Sequence, residues 1–298
     1  THGGGSAYTT GVVVSGTPGS SGAKTVITVA GSAPTLYYYC SNHSGMGGQA
    51  NTNSTFGSSN FAGTTQSTVS VNTTAGFSVV KYTGADAVRT IGHGLGSKPN
   101  WIIVKRLGTG SSPWQVYYSA LGATKYMVLN STNNQDSSTA RWNDTEPTSS
   151  VFTLSTSAHV NESGDYIAYC FTEKIGYSKF GKLNANGSND NTFTYTGFAP
   201  EIVIIKPLVT DSWSHWYMFD NVRSTNLNDS PLYANLDTRE AYYGGSPASN
   251  YAQIDILSNG FKIRRDGSWG GGGANQESIY MAFGQTLVGT NNIPATAR

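Results

Sequence analysis

The residues best suited to chemistry lie together in Tyr37-Tyr-Tyr-Cys40-Ser-Asn-His43-Ser-Gly-Met46-Gly-Gly48. Cys40, His43 and Met46 bring a thiolate, an imidazole and a thioether onto one short loop. A copper ion takes this set, with strong bonds to Cys and His and a weak axial bond to Met. A complete site of that kind needs a second imidazole. His2 is the only histidine upstream, and its Gly-rich surroundings carry no strand pattern. Two readings stay open. Either a further imidazole from sequence before Thr1 completes a copper site, or the loop keeps its shape and holds no metal.

Outside that loop the sequence offers no catalytic set. His93 lies between glycines in Ile91-Gly-His-Gly-Leu-Gly96 and reads as a turn, while His159 and His215 stand alone in sequence. His-Glu-x-x-His, Gly-x-Ser-x-Gly and the phosphate-binding Gly-Lys-Ser/Thr pattern are all missing. The expectation is a protein that is not an enzyme. Tryptophans can stack sugar rings, but more often they fill cores or anchor interfaces. Trp114 and Trp216 occupy matching places in a repeat and read as structural. Trp142 and Trp269 fall in loop-like sequence and are the candidate ligand-binding residues. The Asn-x-Ser/Thr triplets at Asn130, Asn143 and Asn161 follow from composition and are not read as glycosylation.

The elements that position these residues are strands. Charged residues make up 12 % of the chain, about half the share usual in soluble globular proteins. Aromatic residues also reach 12 %, which supplies the apolar surface that disordered chains lack. Leu, Lys and Glu are sparse while Thr, Tyr and Val abound, which disfavours helices. Short runs such as Thr25-Val-Ile-Thr-Val29, Trp101-Ile-Ile-Val-Lys105, Trp114-Gln-Val-Tyr-Tyr118 and Ile202-Val-Ile-Ile-Lys206 alternate with Gly, Asn, Asp, Ser and Pro clusters. That is the pattern of a sandwich or barrel. A net charge of +1 gives no sequence-independent grip on nucleic acid. No apolar run approaches the roughly 20 residues that span a bilayer, so membrane insertion is not expected. The first residues read as mid-protein sequence, and two cysteines make no disulfide framework.

Five blocks recur in order. Gly76–Tyr82 matches Gly176–Lys182, and Lys98–Lys105 matches Ala199–Lys206. Trp114–Ala120 matches Trp216–Val222, Val151–Ser155 matches Ile254–Ser258, and Tyr166–Phe171 matches Ser278–Phe283. Such ordered self-similarity predicts a tandem duplication. In this register Cys170 faces Ala282, so the position calls for a small buried residue rather than a nucleophile. The expected organisation is a partial domain over 1–50, a Gly/Ser/Thr/Asn linker over 51–75, repeats over 76–175 and 176–285, and a tail over 286–298.

The Cys-x2-His-x2-Met loop resembles the C-terminal copper loop of the cupredoxins, with spacing like the amicyanin-type members. That resemblance covers residues 1–50 and implies a partial β-sandwich there. The duplicated region resembles a repeat domain of unknown function from fibre-like structural proteins of marine phages, especially cyanophages. Ile91-Gly-His-Gly-Leu-Gly96, Lys98–Lys105, Trp114–Lys125, Tyr166–Glu173 with Gly176–Gly181, Leu257–Lys262 and Ile279–Phe283 carry it. It implies a virion appendage.

The sequence therefore predicts an all-β chain: a cupredoxin-like segment followed by two tandem β-sandwich repeats of jelly-roll type. The expected role is that of a virion structural protein, a tail fibre or appendage at the extracellular virion surface. It would bind a host-surface glycan or outer-membrane component and associate with itself, as a trimer if a fibre, and with other virion proteins. A capsid decoration or head-fibre protein is the first alternative. A secreted copper-binding protein with adhesion repeats is the second.

Overall fold

The computed structural model describes residues 7–17, 19–28, 36–40, 43, 46–50, 57–108, 112–210, 213–223, 231–237, 253–266 and 271–284. The chain is all-β, as its scarcity of helix formers requires. Strands β1 (Val12–Ser15) and β2 (Lys24–Ile27) form one antiparallel ribbon, and β3 (Leu36–Tyr39) and β4 (Gly47–Ala50) form another. Among the described residues no further strand joins either ribbon. Over 1–50 the described residues thus show two antiparallel ribbons. Val13, Val14, Tyr37, Tyr38 and Tyr39 are exposed.

The next strands are β5 (Ser58–Asn60), β6 (Ser67–Asn72), β7 (Phe77–Gly84), β8 (Arg89–Gly92) and β9 (Trp101–Arg106). They continue with β10 (Gln115–Tyr118), β11 (Lys125–Val128), β12 (Asp136–Ser137), the single helical turn α1 (Thr139–Trp142), β13 (Val151–Leu154) and β14 (Gly164–Phe171). One sheet has the order β12-β11-β10-β9-β14-β7-β6-β5, and β8 pairs with β13 in a ribbon over one of its faces. Alternation along the strands builds the core between them. Tyr166, Ala168 and Cys170 of β14 point into it with Val80 and Tyr82 of β7, and meet Phe152 and Leu154 of β13.

The linker expected over 51–75 is corrected here. Residues 58–72 supply β5 and β6, Val69 lies in the core, and the buried Ser67 hydroxyl donates to the Gly92 carbonyl at 2.9 Å. Polar composition misled because an edge hairpin needs only a few inward-facing residues to pair.

The second half begins with β15 (Ser178–Asn184), β16 (Phe193–Tyr195), β17 (Pro200–Pro207), β18 (Tyr217–Asp220) and β19 (Leu232–Tyr233). It ends with β20 (Ile254–Leu257), β21 (Gly260–Ile263) and β22 (Glu277–Gly284). Its large sheet has the order β15-β22-β17-β18-β19, and β16-β21-β20 cover one face. The first sheet read as β7-β14-β9-β10-β11 has the same order. Register agrees too. Phe171 pairs with Trp101 as Phe283 pairs with Ile202, and Tyr117 pairs with Ile102 as Phe219 pairs with Val203. Cys170 and Ala282 therefore hold equivalent places, both fully buried.

Two sequence blocks shift. Ser78 lies opposite Cys170, while Lys179 lies opposite Ala282, so the first block moves by one residue. In the ribbons, Phe152 pairs with Ile91 and Phe261 with Thr194, which makes β21 the counterpart of β13 in place of β20. Both phenylalanines are core residues. Strand patterns with a period of two leave such slips open until partners are known.

A third core lies between the two large sheets. Trp101, Val116, Tyr118 and Met127 of the first half meet Phe180, Trp216, Ile279 and Met281 of the second. Trp101 and Trp216 meet edge to face at 5.8 Å between ring centres. The opposed faces are the equivalent ones, since Ile103 and Ile204 both pack against this cluster from matching strand positions.

Candidate functional site

Pairing of Tyr39 with Gly47 makes 40–46 the loop of the β3–β4 ribbon, closed by the Cys40 N–H donating to the Met46 carbonyl at 2.8 Å. Cys40 Sγ and His43 Nδ1 come within 3.3 Å. Met46 is 59 % exposed on the same loop. The loop thus unites the soft donors, but the described residues bring no second imidazole to it, and His2 lies outside them. A copper site of the expected kind is only partly assembled by these residues. Among the described residues no cluster of three or more His, Cys, Asp or Glu is placed to hold a metal ion.

The two tryptophans singled out for ligand binding separate. Trp269 lies outside the described residues. Trp142 is 2 % exposed, with its ring edge to face against Tyr117 at 5.9 Å. It is a core residue on α1, which corrects the loop expectation. Its polar neighbours Arg141 and Asn143 hid this, since a single helical turn can bury one residue of four.

The other titratable groups read as structural. Burial pushes the Cys170 thiol up to about 12, so a thiolate is disfavoured there. His93 is fully buried; its Nδ1 accepts from the Leu95 N–H at 3.2 Å, which leaves Nε2 to donate to the Thr148 carbonyl at 3.3 Å. Burial lowers its pKa, against the effect of that carbonyl. Burial works to raise the Glu146 pKa, yet Lys98, the Tyr117 hydroxyl and the Ala123 N–H together hold it below its ordinary value. His159, isolated in sequence, meets Ser112 Oγ at 3.1 Å. Glu162, the nearby carboxylate, is paired with Arg106, and among the described residues no carboxylate is hydrogen-bonded to that imidazole as a triad requires. Asn161 is fully buried and donates to the Ala87 and Ser155 carbonyls, which no glycosylated side chain could do.

Sequence reasoning missed a module built twice at matching positions. In the second half, Lys206 Nζ donates to the carbonyls of Ser214 and, at 2.9 Å, Thr132, and lies 5.9 Å from the Trp216 ring centre. The Trp216 N–H donates to Asn235 Oδ1 at 3.0 Å, and its indole N–H to the Val128 carbonyl at 3.0 Å. In the first half, Lys105 Nζ donates to the Ser112 carbonyl and lies 5.6 Å from the Trp114 ring centre. The Trp114 N–H donates to Asn130 Oδ1 at 2.9 Å. The recurring signal was Lys followed by Ser-x-Trp, at Lys105 with Ser112-Pro-Trp114 and at Lys206 with Ser214-His-Trp216.

Burial separates the two copies. Lys206 and Trp216 are fully buried, and the first half supplies two of their carbonyl partners. Lys105 and Trp114 are half-buried, and Trp114 stacks on Tyr169 at 6.2 Å with 24° between the planes. A cation over an indole contributes about 0.5–1 kcal/mol when exposed and about 2 or more when desolvated. The second copy is thus a locked joint, while the first is the same joint left open.

Neither the curated proteins nor the solved structures include a match to the chain. The model of a domain of unknown function, DUF7483, matches residues 49–286. That match takes in both sheets together with the β5–β6 hairpin, and so the chain belongs to the DUF7483 family.

Proposed function

We propose that this chain is a virion structural protein, a tail-fibre or appendage component built by tandem duplication, which associates with itself and binds a host-surface glycan or outer-membrane component. The observation that carries the reading is the shared core, in which two sheets of equal order and register are fused through Trp101 and Trp216. Fusion of this kind joins the two units through one core, and loops carried on such a scaffold suit the display of binding residues. Many copies on one particle turn weak single contacts into firm attachment. Nothing in the described residues assembles a catalytic set, so the reading needs no enzymatic step. No described helix is long and apolar enough to cross a membrane.

The test is immunogold electron microscopy of the parent virus with antibody to residues 76–285. Gold at tail or fibre tips supports host attachment. Gold over the head favours a capsid decoration or head-fibre role, and bare particles overturn the virion assignment. A second reading, copper binding by the 40–46 loop in a secreted protein, draws on the Cys40–His43 contact. A chain extended upstream of Thr1 and incubated with copper should then show thiolate-to-copper absorption. A colourless, metal-free product removes that reading.

A further inference from the structure

The two Lys–Trp joints differ in one respect that assigns a partner. In the second half, the joint is closed by the end of β11 and the segment after it, whose Val128 and Thr132 carbonyls accept from Trp216 and Lys206. Pairing of Val128 with Gln115 and of Tyr233 with Tyr217 makes 232–237 the counterpart of that segment. Asn130 and Asn235 confirm the match, since each accepts the N–H of its own tryptophan. The relation within the chain is one-sided. Among the described residues, no carbonyl of the second half meets Lys105 Nζ or the Trp114 indole N–H.

The surface around the open joint continues an interface that already exists. Trp101, Ile103 and Lys105 alternate onto one face of β9, and Tyr169 and Phe171 onto the same face of β14. Trp101, Ile103 and Phe171 are covered by the second half, whereas Lys105, Tyr169 and Trp114 lie beyond the shared core. On the other side, β18 and β19 also extend past that core, with Leu232 39 % and Leu236 41 % exposed. The two uncovered portions are those that meet if the internal relation is applied once more. Strands β9-β10-β11 sit over β15-β22-β17 within the chain, so β17-β18-β19 would sit over β7-β14-β9 of another.

We propose that Lys105, Trp114 and Tyr169 form a socket for a second copy of this chain, entered by that copy's 232–237 segment. The inference rests on the self-association proposed above and names its surface; it does not depend on host binding. A main-chain carbonyl accepts from Lys105 Nζ and another from the Trp114 indole N–H, as Thr132 and Val128 do in the closed joint. Each chain then carries one socket and one entering segment at different places, so the contact is head to tail. Such contacts close into a ring when the rotation allows and otherwise extend as a filament.

Sedimentation velocity of the purified full chain over a range of concentrations tests this without any host material. Wild type should form oligomers that grow with concentration. Lys105→Glu and Leu236→Asp, each alone, should sediment as monomers, with association at least about tenfold weaker. An equal mixture of the two should give dimers and nothing larger, because one intact socket meets one intact segment. Variants that assemble like wild type overturn the surface. A mixture that stays monomeric overturns the head-to-tail geometry, and a monomeric wild type overturns self-association itself. If Lys105→Glu does not fold, Leu236→Asp carries the test, since Leu236 lies at the surface.

Discussion

Trp142 and His93 show how a residue's surroundings decide its role. Trp142 fills the first core beside Tyr117, Phe152 and Val160. Replacing it with Ala leaves a cavity that rigid strands cannot close, at a cost of about 3–5 kcal/mol. Urea unfolding should show that loss. His93 makes a second, pH-dependent prediction. Burial depresses its folded pKa below the ordinary 6.5, so the fold favours the neutral ring. The unfolded chain takes up the proton first as pH falls. Stability from the neutral ring is thus complete above about pH 6.5 and is lost as pH falls through the lower folded value. His93→Gln keeps an acceptor and a donor without a titrating proton. Its melting temperature should fall less than that of wild type between pH 7 and 5. A residual slope is expected because the pKa of His159 is also lowered, first by its burial and then by Arg141 and Arg106. An unchanged slope would place the titration elsewhere.

At the scale of elements, equivalent strand positions carry different pairs of residues. Val80 pairs with Ala168 in the first half, and at the same positions Gly181 pairs with Tyr280. A Cβ on Gly181 would lie 2.6 Å from the Tyr280 hydroxyl oxygen and 2.7 Å from a ring carbon. Gly181→Val alone should therefore destabilise by about 1–3 kcal/mol through overpacking. Combined with Tyr280→Ala it rebuilds the first half's pair. The double variant should then lose less than the two single losses added together, which a double-mutant cycle measures. Additive losses would mean that the two positions do not share their space. This exchange also explains what the sequence could reveal. The blocks around Trp101, Trp114 and Phe171 were legible because both halves keep apolar residues at the same period. The block at Val80 was legible but one residue out of register, because Gly181 carries no apolar signal and its partner Tyr280 lies far off in sequence. The β5–β6 hairpin and the closed Lys206 joint escaped for a like reason. Each is set by partners distant in sequence, as Ser67 is by Gly92 and Lys206 by Thr132.

For the whole molecule, the governing fact is that both faces of each large sheet carry a buried core. Each is covered by its own ribbon on one side and by the other half over much of the opposite side. Separating the halves would bare Trp101, Tyr118, Met127, Phe180, Trp216 and Met281 together, all almost fully buried. Burial of one large side chain contributes about 1.5–3 kcal/mol, so these six contribute about 9–18 kcal/mol before entropy is set against it, a loss large beside the 5–15 kcal/mol net stability of a domain. The halves should therefore unfold as one unit. Thermal melts followed by tryptophan fluorescence and by far-ultraviolet circular dichroism are expected to coincide, and calorimetric and van't Hoff enthalpies to agree. Trp101→Ala weakens the joint but leaves both outer cores intact. It should split the melt, with the second half keeping the higher transition only if its own core and the Lys206 joint suffice to hold it. A single, lowered transition in that variant would show that the coupling does not pass through Trp101. In that case the load would fall on Trp216, which reaches the first half through its indole bond to Val128 as well as through the core.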